Sequence, residues 1–91
     1  MEKSYSYPLD LDWSTEEMIT VVEFFQCIEA GYENGIKAAD LNDAYNNFKD
    51  IVPSKAEEKT IFREFKSVSS LEPFTLVKQL KISRPEDILK V

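Results

Sequence analysis

Apolar side chains recur at the helical period in one long stretch of the N-terminal half of the chain. The residues of this stripe are Met18, Val21, Val22, Phe25, Ile28 and Tyr32. Ile19, Phe24 and Cys27 are also apolar but lie outside the stripe. A helix with apolar flanks usually packs on more than one side, so we expect it to be the central helix of a small bundle. In the alternative, Phe24 and Cys27 form an exposed patch for another chain, because large exposed apolar patches tend to mark interfaces.

The ends of this helix are marked by local signals. Ser14 and Glu17 have the spacing of a capping box, in which each side chain accepts a hydrogen bond from the backbone N–H of the other residue. The pair Asn34-Gly35 is a good left-handed stop signal. The pattern therefore predicts one helix over residues 15–33.

Three further apolar stripes follow at the same period. They predict helices over residues 38–52, 55–68 and 73–81. The second of these begins at another capping box, Ser54 to Glu57, and the third begins at Pro73, which suits a first helical turn. The sequence therefore predicts an all-α fold, a small bundle of three main helices plus a short C-terminal helix, in a single domain over residues 1–91.

The two ends of the chain do not follow the helical period. Residues 4–13 alternate, which indicates an extended segment; the apolar positions are Tyr5, Tyr7, Leu9, Leu11 and Trp13. Pro8 makes a central strand unfavourable, and no later segment is a convincing partner strand. We expect residues 1–13 to form an extended arm packed on the bundle by its aromatic side chains, with a crossing to a second subunit as the alternative. At the other end, a third box-like start at Ser83 opens a terminal turn, and residues 82–91 either pack on the bundle or stay mobile.

Composition and charge argue against several classes of function. The chain has 91 residues, a net charge of −6, no histidine and one cysteine. Nucleic acids and anionic membranes are recognised largely through Lys and Arg, so neither is an expected partner. Without histidine, the usual group for proton transfer near neutral pH and all His-containing metal sites are missing.

Localisation follows from three further observations. No apolar run approaches the roughly 20 residues of a membrane-spanning helix. The N-terminal sequence lacks the basic-then-apolar order of a signal peptide, and one cysteine cannot form an internal disulfide. We expect a cytoplasmic protein without a metal or cofactor.

One charge feature is a candidate binding surface. Lys55, Lys59, Arg63 and Lys66 stack at helical spacing on the outer side of the predicted third helix. In an acidic protein, such a basic ridge is suited to dock an acidic partner or a phosphate. The alternative is an ordinary solvated face, moderated by the acidic residues nearby.

Asp10, Asp12 and Cys27 are the remaining candidates. The two aspartates could hold a divalent cation or do acid–base chemistry, but they also suit a solvated or backbone-capping role next to a helix start. A reactive thiol needs a cationic, partly exposed setting. Cys27 stands in mid-helix beside Phe24, Ile28 and Glu23, which favours a structural cysteine.

Parts of this sequence resemble uncharacterised protein family 0223, a group of small bacterial proteins. The matching segments are Tyr5 to Met18, Ala44-Tyr45, Phe48-Lys49 and Ile51 to Lys59. The resemblance implies a small helical domain and carries over no activity, cofactor or catalytic residue. Relatives usually place glycine and tyrosine after Ser69, whereas this chain has Ser70 and Leu71, so we expect the turn before the fourth helix to differ.

Two functions are compatible with these patterns. The first is a small helical interaction or regulatory module that uses the basic ridge or the flank at Phe24 for a protein partner or for self-association. The alternative is a binder or enzyme that acts on a phosphorylated small molecule through Asp10, Asp12, Lys55 and Lys59. Nucleic-acid binding through the third helix is weaker still, because it conflicts with the acidic charge.

Overall fold

Within residues 7–91, which the computed structural model describes, the chain folds into four α-helices and one pair of short strands. The elements are α1 (Thr15–Glu33), β1 (Ile36–Lys37), α2 (Ala38–Ile51), α3 (Lys55–Ser69), α4 (Pro73–Leu80) and β2 (Ile88–Leu89). The predicted all-α bundle is confirmed. The predicted first helix agrees with α1 at both ends, and the other three differ from the observed helices by one residue at the C-terminal end.

The ends of α1 are fixed by the predicted groups. The Ser14 hydroxyl accepts from the N–H of Glu17 at 3.1 Å, and the Glu17 carboxylate accepts from the N–H of Ser14 at 2.8 Å. At the other end, Gly35 takes a φ of 98° and its N–H donates to the carbonyl of Ala30 at 2.8 Å. A left-handed residue at this position satisfies a helix-end carbonyl and stops the helix.

Two adjacent phenylalanines make α1 the centre of the core. Phe24 and Phe25 are both fully buried. The Phe24 ring lies 4.8 Å, between centroids, from Phe48 of α2 and 5.8 Å from Phe62 of α3. The Phe25 ring stacks on Phe65 of α3 at 4.3 Å. Helix α1 therefore packs on two helices at once, as its apolar flanks predict.

This packing corrects the predicted buried face of α1. Phe24 is 0% exposed, so the alternative in which it forms part of an exposed patch is wrong. Of the predicted stripe, Met18, Val22 and Tyr32 are only half-buried. Because α2 and α3 both press on α1, the buried arc is rotated toward Phe24 relative to the stripe that the sequence favours.

The last turn of α1 is the docking point for α4. Gly31 is buried, and a Cβ atom there would lie 2.5 Å from Cδ1 of Leu76 on α4. The Tyr32 hydroxyl donates to the carbonyl of Glu72 at 2.9 Å and accepts from its N–H at 3.1 Å. The glycine thus permits close approach of α4, and the helix continues past it to Glu33.

The C-terminal segment forms a strand and a cap in place of the predicted terminal turn on Ile88 and Leu89. Strand β2 pairs with β1 in antiparallel register, Ile36 opposite Leu89, and Leu89 is buried. The carbonyls of Asp87 and Pro85 accept from the N–H groups of Ala38 and Ala39 at 2.8 and 3.1 Å. These are the first N–H groups of α2, whose N-cap side chain makes no capping hydrogen bond. The segment packs on the bundle because it supplies the missing acceptors.

Within its described residues, the N-terminal arm is anchored by the aromatic side chains of Tyr7 and Trp13, which are half-buried and pack against the core. Tyr7 lies 6.2 Å, between ring centroids, from both Phe25 and Phe65 of its own chain, and its hydroxyl donates to Glu29 at 2.7 Å. The predicted alternation ends at Leu11, which is 92% exposed. The chain turns there, since the Trp13 N–H donates to the carbonyl of Asp10 at 3.0 Å. Tyr5, the third predicted aromatic anchor, lies outside the described residues.

The turn between α3 and α4 places a serine where glycine is favoured. Ser70 has a φ of 65° and a ψ of 12°, in the left-handed region, and its N–H donates to the carbonyl of Lys66 at 2.8 Å. The Ser69 hydroxyl completes the turn by donating to the carbonyl of Phe65 at 2.7 Å and accepting from the N–H of Leu71 at 3.1 Å. The turn therefore closes with serine at the left-handed position.

We expect Ser70→Gly to raise the free energy of unfolding by about 0.5–1 kcal/mol, because glycine removes the left-handed cost of about 1–2 kcal/mol at the expense of greater chain entropy. Urea denaturation measures the change. Ser69→Gly is the matched control, and we expect it to lower stability by about 1 kcal/mol because it deletes the hydroxyl and places glycine within α3. A neutral or destabilising Ser70→Gly would contradict the left-handed turn.

Candidate basic groove

An open groove of about 690 Å³ lies between α2, α3 and α4, here called the basic groove. The residues that line it are Asn42, Tyr45, Asn46, Lys55, Glu58, Lys59, Phe62, Arg63, Lys66, Glu72, Phe74, Val77, Leu80 and Lys81. Its volume is in the range of sites that hold a drug-sized ligand or the side chains of a docked peptide.

One wall of the groove is the predicted basic ridge. Lys55, Lys59, Arg63 and Lys66 are all exposed and all line the groove, and Lys81 after α4 adds a fifth cation. Spacings of three and four residues bring the four α3 side chains onto one face. The sequence prediction that these residues share a face is confirmed, and the structure adds a concave surface beside them.

Among the described residues, two carboxylates line the groove, and both have cationic partners. Glu58 lies 2.5 Å from the Nζ of Lys49, and Glu72 lies 3.6 Å from the Nζ of Lys66. Among residues 7–91, neither Lys55, Lys59 nor Arg63 forms an ion pair with a carboxylate. The groove therefore keeps a positive charge excess although the chain as a whole has a net charge of −6.

The floor of the groove is apolar and partly open to solvent. Phe62 and Val77 are buried, Leu80 is half-buried, and Phe74 is 44% exposed. The Nζ of Lys78 lies 5.1 Å from the centroid of the Phe74 ring, within the range of a cation–π contact. An exposed aromatic side chain beside buried apolar neighbours is typical of an anchor point for a partner.

A buried charge cluster supports the α2 side of the groove. Glu58 is 5% exposed; besides Lys49, its carboxylate accepts from the Tyr45 hydroxyl at 2.8 Å. Burial raises the pKa of the Tyr45 hydroxyl, and the hydrogen bond and negative charge of Glu58 raise it further. The tyrosine therefore stays a hydrogen-bond donor, and Lys49 offsets the negative charge of Glu58 in the groove.

Cys27 lies outside the basic groove, in a separate shallow depression lined by residues of α1, β1 and α2. It is half-buried, and Glu23 and Asn47 lie beside it. Burial raises the pKa of its thiol, and the charges of Asp40 and Glu23 add to this increase. A nucleophilic thiol needs the opposite environment, so the geometry favours the structural role that the sequence predicts. Because the Phe24 side chain is buried between α1 and the neighbouring helices, the predicted Phe24–Cys27 flank is not an exposed apolar patch.

Asp10 and Asp12 are not brought to the basic ridge. Asp10 accepts from the N–H of Asp12 at 2.9 Å, which closes the turn before α1. Neither aspartate lines the groove to which Lys55 and Lys59 belong. Among residues 7–91, no group of three or more His, Cys, Asp or Glu side chains is placed to hold a metal ion. The predicted four-residue phosphate site is therefore not assembled there.

The sequence pattern does not assign Tyr45, Phe74, Leu80 or Lys81 to a site. Phe74, Val77 and Leu80 were visible as the apolar stripe of the fourth helix. Their place beside the basic ridge depends on how α4 packs across α2 and α3, which periodicity alone does not specify.

The fold and the groove define a small all-α protein with a cationic, apolar-floored surface. None of the helices within residues 7–91 is long and apolar enough to cross a membrane. A family model described as uncharacterised protein family (UPF0223) matches residues 4–89, and the chain belongs to this family.

The sequences of curated bacterial relatives align with nearly the whole of this chain. The UPF0223 protein of Lysinibacillus sphaericus is 51% identical over 96% of this chain and 92% of its own length. A Staphylococcus haemolyticus member is 51% identical over 90% of both chains. A Streptococcus pneumoniae member is 51% identical over 89% of this chain and 88% of its own length. These names indicate no activity, so the function is argued from the groove.

We expect Lys49→Met to lower the free energy of unfolding by about 1–3 kcal/mol, because it leaves the buried Glu58 carboxylate without its cation. In Lys49→Met/Glu58→Gln the charge is gone and an acceptor for Tyr45 remains, so stability should return to within about 1 kcal/mol of the parent. Chemical denaturation of the parent, the single variant and the double variant measures these changes in stability.

The exposed residue Lys90 provides the control for this comparison. Lys90→Met should change stability by less than about 0.5 kcal/mol. A double variant no more stable than Lys49→Met would show that the ion pair is not what the lysine contributes.

Proposed function

We propose that this protein is a small cytoplasmic interaction module that binds an acidic segment of a partner protein in the basic groove. One observation carries the proposal: the groove combines a cationic wall, in which Lys55, Lys59 and Arg63 form no ion pair within residues 7–91, with an open apolar floor, in a chain with a net charge of −6. Interfaces that join an apolar centre to complementary charge are selective, since the charges favour the correct partner and the apolar contacts hold it.

The distribution of charge supports an acidic partner. The exposed positions of α1 and α2 carry carboxylates, among them Glu16, Glu23, Asp43 and Asp50. These would repel an acidic segment, whereas Lys59 and Arg63 on α3 attract it. Binding is thereby directed to one face of the molecule.

The apolar floor supports a protein partner over a lone anion. Phe74 presents an aromatic ring at the surface, with Leu80 half-buried near it. An anion alone would leave this apolar area in contact with water, whereas a peptide with apolar side chains would cover it. The cytoplasmic assignment is supported by the single cysteine, since disulfides belong to oxidising compartments.

Site-specific photo-crosslinking tests the proposal. Asn46 and Asn47 are adjacent exposed residues of α2, but only Asn46 lines the groove. A photoreactive residue at position 46 should give a discrete adduct with a partner protein in cells that express this chain, and position 47 should not. Lys59→Glu should reduce the yield at position 46 by about tenfold, because it reverses a charge in the basic wall.

Lys90→Glu is the matched control, because it makes the same charge change at an exposed site outside the groove. Its adduct should be unaffected. Equal adducts at positions 46 and 47, or equal losses with both charge reversals, would refute the groove as the binding surface.

A second candidate is a binder of a phosphorylated small molecule. It is favoured by the volume of about 690 Å³ and by the five cations and the Tyr45, Phe62 and Phe74 rings that line the groove. The sequence suggests Asp10, Asp12, Lys55 and Lys59 for this function. Of these four, Lys55 and Lys59 lie in the groove and the two aspartates do not. A rise in Tm with nucleotides or sugar phosphates in excess, lost in Lys59→Glu, would favour this candidate over the first.

A further inference from the structure

The walls of the basic groove restrict the conformation of an occupant. All three walls are α-helices, whose backbone N–H and C=O groups are bonded within each helix. The two strands of the described chain, β1 and β2, contribute no residue to the groove. An extended peptide there would find no ladder of backbone partners, and its polar backbone would face Phe62 and Phe74. An unpaired backbone group out of water is costly, whereas a helix satisfies its own.

The basic wall has the length and period of a second helix. Lys55 and Lys66 are eleven residues apart on α3, a rise of about 16 Å at 1.5 Å per residue. Four cations over that length place roughly one positive charge at each turn. A helix of three to four turns that lies along α3 can place a carboxylate opposite each cation while its apolar stripe faces Phe74 and Leu80.

We infer that the occupant of the basic groove is an amphipathic α-helix of a partner protein, with carboxylates along one flank and large apolar side chains on the adjoining face. This inference rests on the proposed function and specifies the partner's chemistry. The partner helix lies along the groove, and its side chains at spacings of three and four residues make the contacts.

A second copy of the chain is a weaker match to the same groove. The exposed stripe of α1, with Glu16, Ile19, Glu23 and Gln26, has acidic and amide groups but a single large apolar side chain, 53% exposed Ile19. That side chain cannot cover the apolar floor, and two chains of charge −6 repel each other.

Designed peptides test the inference in the full-length protein. The probe is a fluorescent, side-chain-stapled peptide of about four turns with leucine on one face and glutamate on the adjoining flank. A matched peptide of equal length and charge has two central prolines in place of uncharged residues, and a third peptide has lysine in place of glutamate. Fluorescence anisotropy should show saturable binding of the stapled acidic helix. The proline peptide should bind with an affinity at least about tenfold lower, and the lysine peptide should not bind.

Protein variants locate the contact. Phe74→Ser and Lys59→Glu change exposed side chains and should each weaken binding of the stapled peptide by about tenfold. Lys90→Glu should leave it unchanged. Circular dichroism and Tm confirm that each variant is folded before its affinity is compared.

The outcomes separate this inference from the proposed function. Equal affinity for the stapled and proline peptides would overturn the inferred helical conformation of the occupant, but it would leave the proposed acidic partner intact. Failure of every peptide, with the partner adduct at position 46 intact, also overturns it. Failure of both experiments overturns the proposed function itself. Reversible self-association in sedimentation, abolished by Lys59→Glu, overturns the inference in favour of a second copy.

Discussion

The whole arrangement depends on one contact, the packing of two neighbouring phenylalanines of α1 against two other helices. Phe24 faces Phe48 and Phe62, and Phe25 stacks on Phe65. Adjacent residues on a helix point about 100° apart, so a pair of large rings can bury itself only where helices pack on both sides. This requirement makes α1 the axis of the bundle and removes its flank from the list of possible binding surfaces.

The basic groove follows from this choice of core. Because α3 turns Phe62 and Phe65 toward α1, the adjoining flank of α3, which carries Lys55, Lys59 and Arg63, is left open to solvent. Helix α4 is short, and its contacts at Gly31 and Tyr32 hold it at the end of α1, which leaves an apolar floor between α4 and the basic wall. Glu58 would reduce the positive charge of that wall, but Lys49 and Tyr45 hold its carboxylate. Core packing and binding surface are thus two faces of the same helix.

The sequence could predict what is encoded locally. The start of α1 depends on Ser14 and Glu17, and its end depends on Gly35, so four-residue patterns suffice for both. The basic ridge was also predictable, since it lies on one helix. The apolar flank at Phe24 predicted packing on more than one side of α1, but the extent of its burial and the rings that contact it were not predictable, because the period defines the strongest stripe and not the partners that pack on it. The pairing of β2 with β1 and the groove itself join residues distant in sequence, for which a single chain offers no local pattern.

The account depends on the contact of the Phe24 ring of α1 with rings of both α2 and α3. Ring-to-ring nuclear Overhauser effects in the labelled protein test this contact most directly. The account predicts strong cross-peaks from the Phe24 ring to both Phe48 and Phe62, whose centroids lie 4.8 and 5.8 Å away. A Phe24 ring without these cross-peaks, and with its protons in contact with water, would contradict the core and with it the placement of the groove.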